Sequence, residues 1–154
     1  PIAVGLALGA RLQGKKWLTY CLLGDGECDE GSVWEAAMAA SHYKVTNLVT
    51  IVDRNRMMID GPTEEVMKLE PFVDKWKAFG FIVKEVDGHD FNQLADAIDF
   101  AIAEESAPVV IIANTVKGKC VGFMEDNYQW HYGGLDSEKV AECKECIDNY
   151  YCEI

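Results

Sequence analysis

Three apolar runs, WLTYCLL (17–23), NLVTIVD (47–53) and PVVIIANTV (108–116), with a further strand-like segment, FIVKEVD (81–87), constrain this chain's fold more than any other feature. Each is strand-length and gives way to a turn containing Gly, Asp or Asn. Between them lie segments with helical spacing. EGSVWEAAMAASHYK (30–44) sets Val33, Ala36, Ala37 and Ala40 along one side, and PFVDKWKAFG (71–80) has Pro71 in its first turn and Gly80 as a C-cap. FNQLADAIDFAIAEE (91–105) is amphipathic through Leu94, Ala97, Ile98 and Ala101, with Asp90 as its N-cap. Strands apolar on both faces need cover on both faces. The alternation therefore predicts an α/β fold, a parallel sheet with helices on each side. RNRMMIDGPTEE (54–65) reads as loop, and a polar stretch from Lys117 to Asp136 leads to a final helix over 137–154, capped by Ser137. No linker or repeat interrupts the 154 residues, so one domain over 1–154 is expected.

The opening segment PIAVGLALGARLQGKKW is apolar enough to suggest a secretion signal, but Arg11, Lys15 and Lys16 follow its apolar run instead of preceding it. It reads as a buried helix emerging near Gln13 and Gly14. No apolar run reaches the roughly 18 residues of a membrane span, and the expected location is cytoplasmic. A formal charge of −12, from 26 acids against 14 bases, argues against a nucleic-acid partner and fits carboxylate-bound metal or simple solubility. Cys21 in an apolar strand and Cys120 in a Gly-containing loop read as reduced thiols. Cys143 and Cys146 have metal-ligand spacing, with Cys152 beyond them. They fall in a helical pattern without the usual tight turn, which favours ordinary helix positions over zinc.

Parallel sheets bind ligands where strands end and helices begin. The first run ends at Gly24-Asp25-Gly26, whose glycines allow positive φ and close approach of a phosphate, with Asp25 projecting a hard oxygen ligand. The second ends at Asp53-Arg54-Asn55-Arg56-Met57, where Asn55 offers a carbonyl oxygen. An acid plus an amide, completed by diphosphate oxygens and water, suits Mg²⁺. GDG alone is also an ordinary turn.

The run GDGECDEGSVWEAAMAASHYKVTNLVTIVDRNRMMIDG (24–61) resembles the thiamine-diphosphate motif in its transketolase form. NTVKGKCVGFMEDNYQWHYGG (114–134) is similar to the loop after that domain's last strand, in particular in transketolases encoded as two separate chains. PIAVGLALGARL (1–12) resembles the helix before the GDG strand. Pyruvate-dehydrogenase-like and deoxyxylulose-phosphate-synthase-like enzymes share GDG and Asn but fit 30–61 less well.

The resemblance implies thiamine diphosphate held through Mg²⁺ (or Ca²⁺ or Mn²⁺). Asp25 and Asn55 would ligate the metal through their side chains, and Met57 through its backbone carbonyl. Gly24 and Gly26 would lie against the diphosphate, and Ile59 near the thiazolium ring. His131 would stand close to the diphosphate and the substrate's reacting end. Glu30 and Glu35, one turn apart on one helix face, would form part of a carboxylate network between cofactor sites. Residues 114–136 would face cofactor and substrate. Each has a plainer reading too: helix-dipole acids for Glu30 and Glu35, core contacts for Met57 and Ile59, and a packed loop histidine for His131. His42 reads as structural at a helix end, His89 as a turn and cap residue, and Trp34 and Trp76 as core or interface.

The family's activating glutamate belongs to a pyrimidine-binding domain, normally of the opposite protomer, and its N-terminal segment begins well before position 1. The expectation is part of a transketolase, moving a two-carbon ketol unit from a ketose to an aldose with sugar or sugar-phosphate substrates. A pyrimidine-binding domain or C-terminal subunit would complete it, in a dimer or heterotetramer. The alternatives are the cofactor domain of another thiamine enzyme or a non-catalytic remnant.

Overall fold

A computed structural model describes residues 1–152, with side chains through Tyr150. The four strand-like segments become β1 (Thr19–Gly24), β2 (Leu48–Arg54), β5 (Ile82–Asp87) and β6 (Val109–Asn114). They form one parallel sheet in the order β1-β2-β6-β5. Helix α1 (Ile2–Leu12) precedes β1, and α2 (Gly31–His42) joins β1 to β2. α4 (Phe72–Ala78) leads into β5, α5 (Phe91–Ala103) joins β5 to β6, and α6 (Ser137–Cys152) closes the described chain. Residues 153 and 154 of the expected last helix lie outside the described residues. None of the described helices is long and apolar enough to cross a membrane.

The expected cover on both faces is present. Val52, Val110 and Ile112 face a core built with Val4 and Ala7 of α1, Ala37 and Ala40 of α2, and Phe72 and Trp76 of α4. The alternate residues Val49, Val109 and Ile111 turn to the other side, onto Ala97 and Ala101 of α5. The step from β5 to β6 runs back toward β2, so a right-handed crossover puts α5 opposite α2. α5 does not shield the edge strand β1, where Tyr20 and Leu22 stay exposed.

Several local expectations need correction. α1 is buried on one side only, through Val4, Ala7 and Ala10, while Ile2, Leu6 and Leu12 point outward. A helix apolar all round gives no sequence cue to which side packs. Ser137 is the first residue of α6, not its cap; Asp136 Oδ1 accepts the Lys139 N–H at 2.8 Å instead. The stretch 54–65 holds a small ladder, β3 (Met57–Met58) on β4 (Gly61–Pro62), and one helical turn, α3 (Thr63–Val66). Asp90 caps α5 as expected, accepting from the N–H groups of Asn92 and Gln93. Gly80 takes φ +87° past the end of α4, where a Cβ would also collide with Ser41 Oγ.

Trp34 and Trp76 both belong to an aromatic cluster. Trp34 stacks on Phe79 at 5.2 Å and meets Trp76 at 5.1 Å, while Trp76 packs edge-on against Phe81 at 5.1 Å. The Trp34 indole N–H donates to the Cys28 carbonyl at 2.7 Å, so the cluster also anchors the turn after β1. Trp76→Ala empties the centre of this cluster and should cost about 3–5 kcal/mol, read from urea unfolding. A loss below about 1 kcal/mol would show that the cluster does not hold the α4 side of the core.

Candidate functional site

Parallel register sets Gly24 beside Asp53, and the Asp25 N–H donates to the Asp53 carbonyl at 3.1 Å just past the last strand pair. A 3-10 turn over Gly26–Asp29 follows, capped by Asp25, whose Oδ1 accepts the Gly26 N–H at 2.8 Å. Asp25 is 1% exposed. Neither Gly24 nor Gly26 is among the glycines with positive φ, so that part of the expectation fails. Close approach explains Gly26 instead, because a Cβ there would stand 3.1 Å from Met58 Cβ. The Gly24 N–H donates to Glu27 Oε2 at 2.5 Å.

Arg54 ends β2 and is 2% exposed, a guanidinium in the interior. Its Nη1 donates to Asp25 Oδ2 at 3.0 Å and to Thr63 Oγ1 at 2.9 Å. Nη2 reaches Glu64 and Glu70, each at 3.0 Å, and the group lies 5.3 Å from the Phe72 ring centre. Burial pulls the Arg54 pKa down, but hydrogen bonds to Glu70, Glu64 and Asp25 outweigh it and leave it raised. Burial pushes Glu64 up, yet the bond from Arg54 and the N–H groups of Leu69 and Glu70 bring it below its ordinary value. Glu70 is lowered by the Phe72 N–H and, against some desolvation, by Arg54. Nearby Cys28 has its thiol pushed up to about 12, first by burial and then by Asp25, Glu27 and Asp29, so it is a packed thiol and no nucleophile.

Asn55 follows Arg54. Its Nδ2 donates to Asp53 Oδ2 at 3.1 Å, and its Oδ1 accepts the Met57 N–H at 3.0 Å. Thr115, just after β6, donates to the other Asp53 oxygen, so the three strand ends are tied together. Arg56 adopts φ +64°, which aims its N–H at Asp25 Oδ2, 2.6 Å away. The 3-10 turn Tyr128–His131 packs on the β3–β4 ladder. That packing carries His131 to the same place.

The result is a cleft of about 630 Å³ lined by Gly24, Asp25, Gly26, Glu30, Asn55, Met57, Ile59 and His131 among others. This volume is ordinary for a small-molecule site. The residues named one by one for thiamine diphosphate and its metal thus line one cavity, whereas of the 114–136 segment only His131 does. Glu35 does not. Glu30 stands at the N-cap of α2, outside the helix, and Glu35 is exposed within the helix and absent from the cleft lining. Five residues at about 100° each put them well off a common face. His42 ends α2 against Tyr43, and His89 Nε2 accepts the Val116 N–H at 2.8 Å; both are structural. Cys143 and Cys146 are free thiols on α6, the Cys152 side chain lies outside the described residues, and no group of three metal-ligating side chains occurs among the described residues.

Arg54, Glu27, Asp53 and Thr115 went unnoticed as site residues in the sequence. Only Asp53 left a signal, a charge closing an apolar run; Arg54 reads as the start of the 54–65 loop. Arg54→Met should lose about 3–5 kcal/mol in urea unfolding, since it strands the Asp25 carboxylate in the interior; a near-neutral result would show the pair is not buried as described. The lowered Glu64 and Glu70 stabilise the fold above their ordinary titration range near about 4.3, and lose that contribution as pH falls through their lowered values. Glu64→Gln/Glu70→Gln should therefore flatten the acid limb of the stability curve. An acid limb identical to the parent's would contradict these assignments.

Comparison with known proteins gives this geometry its family. Residues 12–149 match the family model described as transketolase, thiamine diphosphate binding domain. The chain is 43% identical over 141 residues to one subunit of the apulose-4-phosphate transketolase of Phocaeicola vulgatus, covering 92% of this chain and 50% of the relative. It is 40% identical over 136 residues to 6-deoxy-6-sulfo-D-fructose transketolase subunit SqwG of Clostridium sp. strain MSTE9, covering 88% and 50%. The chain spans about half the length of these curated relatives. The crystal structure of transketolase from Campylobacter jejuni superposes with a TM-score of 0.86 at 31% identity, over 93% of this chain and 23% of that one. The chain therefore belongs to the transketolase family, through its thiamine diphosphate-binding domain.

Proposed function

We propose that this chain, as one domain, supplies the diphosphate- and metal-binding part of a cytoplasmic transketolase that passes a two-carbon ketol unit from a ketose to an aldose. The convergence of Asp25, Asn55, Met57 and His131 on one cleft at the carboxyl end of the sheet carries the reading. Donor chemistry supports a hard divalent cation. Asp25 Oδ1 accepts one N–H and Asn55 Oδ1 one N–H, so each keeps a lone pair for a metal. Charge supports it as well. Among the described residues the acids Asp25, Glu27, Glu30 and Asp60 line the cleft and no Lys or Arg does, so a diphosphate needs a dication to settle there. One carboxylate and one amide are few ligands, as suits Mg²⁺ shared with phosphate oxygens.

In this reading Asp25, Asn55 and the Met57 carbonyl hold the metal, while Gly24 and Gly26 let the diphosphate come close. Ile59, 55% exposed, offers an apolar wall for the thiazolium. His131 hydrogen-bonds near the reacting carbons, and Glu30 faces the neighbouring cofactor site. The chemistry that thiamine diphosphate supplies when bound is carbanion stabilisation at a ketose carbonyl. A pyrimidine-binding domain or partner chain completes the site, in a dimer or heterotetramer; two relatives are named as single subunits of a transketolase, which supports such a partner. The substrates are sugars or sugar phosphates.

Calorimetry with thiamine diphosphate and Mg²⁺, with the pyrimidine-binding partner present, tests the reading. Asp25→Asn keeps the side-chain shape and should weaken metal-dependent cofactor binding by at least about 100-fold, the upper end for residues that only orient a ligand. Unchanged affinity in a folded variant would overturn the site, and no binding by the parent complex would leave a non-catalytic remnant.

A further inference from the structure

We propose that Glu27 is a built-in competitor of the cofactor: its carboxylate holds a backbone donor beside which the diphosphate binds, and it swings out of the cleft when the diphosphate enters. This rests on the diphosphate assignment above. β1 pairs with β2 alone among the described strands, and the Asp25 N–H turns to the Asp53 carbonyl. Successive N–H groups of a strand point to opposite edges, so that of Gly24 points away from β2. The sheet leaves this donor unused. Glu27, in the first turn of the 3-10 segment Gly26–Asp29, reaches back to it, and its Oε2 accepts at 2.5 Å. A Cβ on Gly24 would meet Glu27 Oε2 at 3.5 Å and Cγ at 3.8 Å, so the Glu27 side chain lies across the space that this glycine opens. Glu27 also lines the cleft.

Backbone N–H groups at a turn of this kind are natural partners for phosphate oxygens. Both glycines of the turn have theirs engaged by acids, Gly24 by Glu27 and Gly26 by Asp25 Oδ1. The two acids are held very differently. Asp25 is 1% exposed and takes two further hydrogen bonds, from Arg54 and from the Arg56 N–H. Glu27 is exposed, and among the described residues its carboxylate has the Gly24 N–H as sole hydrogen-bond partner. Freeing Glu27 exchanges that bond for bonds to water, whereas freeing Asp25 would strand an interior guanidinium. Charge selects the same acid for displacement. Glu27 stands with Asp25, Glu30 and Asp60 in a lining that has no Lys or Arg among the described residues, so its departure relieves repulsion on incoming phosphates.

The test is calorimetry with thiamine diphosphate, and separately with inorganic pyrophosphate, each in excess Mg²⁺, on the protein assembled with its pyrimidine-binding partner. Glu27→Gln keeps the side chain's size and removes its charge, and should tighten both ligands about 3–10-fold. Unchanged affinity overturns the proposal, and weakened affinity overturns it by making Glu27 a helper of the site. Crystals with thiamine diphosphate and Mg²⁺ bound give a second reading: the Glu27 carboxylate should have left the Gly24 N–H, and a carboxylate still seated there overturns the proposal too. Asp25→Asn in parallel separates the failures. Loss of metal-dependent binding there with unchanged affinity in Glu27→Gln refutes this inference alone, whereas no loss there refutes the site itself.

Discussion

Parallel pairing of β1 with β2 decides where everything else in the site can stand. Register puts Gly24 beside Asp53, and the next hydrogen bond, from the Asp25 N–H to the Asp53 carbonyl, continues the ladder into the loops. Two segments distant in sequence thereby leave the sheet side by side. A slip of one residue would turn Val49 and Val52 to the wrong faces, away from α5 and from the α1–α2–α4 core. The same burial that fixes the sheet thus fixes the site. Asn55 cannot drift from Asp25 without unpacking both cores.

Electrostatics then refine what packing has assembled. An interior arginine beside an interior aspartate is a poor source of net stability, because desolvating both charges cancels much of their attraction. Its value lies in orientation. Arg54 and the left-handed Arg56 together point donors at one oxygen of Asp25, and Asp53 with Thr115 holds the Asn55 amide. Backbone strain at Arg56, roughly 1–3 kcal/mol for a residue in that region, is a local cost of the arrangement.

The sheet was legible because its signal is local: the central strands β2 and β6, buried on both faces, read as apolar runs, and helices announce their own period. Asp25 and Asn55 were legible because each stands two residues past such a run, in a turn. Arg54 was not, since its burial depends on Thr63, Glu64 and Glu70 folding back from a stretch with no periodicity. Glu30 and Glu35 do not share a helix face as expected, because Glu30 sits before the helix and not on it. Ser137 lost the cap to Asp136 by one position, the usual scale of error for helix ends. Of the two reasons read into the glycines of GDG, positive φ fails at both, while close approach holds at Gly26, against Met58.

The central claim is that one cation bridges the ends of β1 and β2. Crystals of the assembled protein grown with thiamine diphosphate and Mn²⁺, examined by anomalous scattering at the manganese edge, test it most directly. The account predicts one peak in the cleft within about 2.0–2.6 Å of Asp25 Oδ1 and Asn55 Oδ1, with diphosphate against Gly24 and Gly26. A peak ligated by other residues, or diphosphate bound away from this loop, would contradict it.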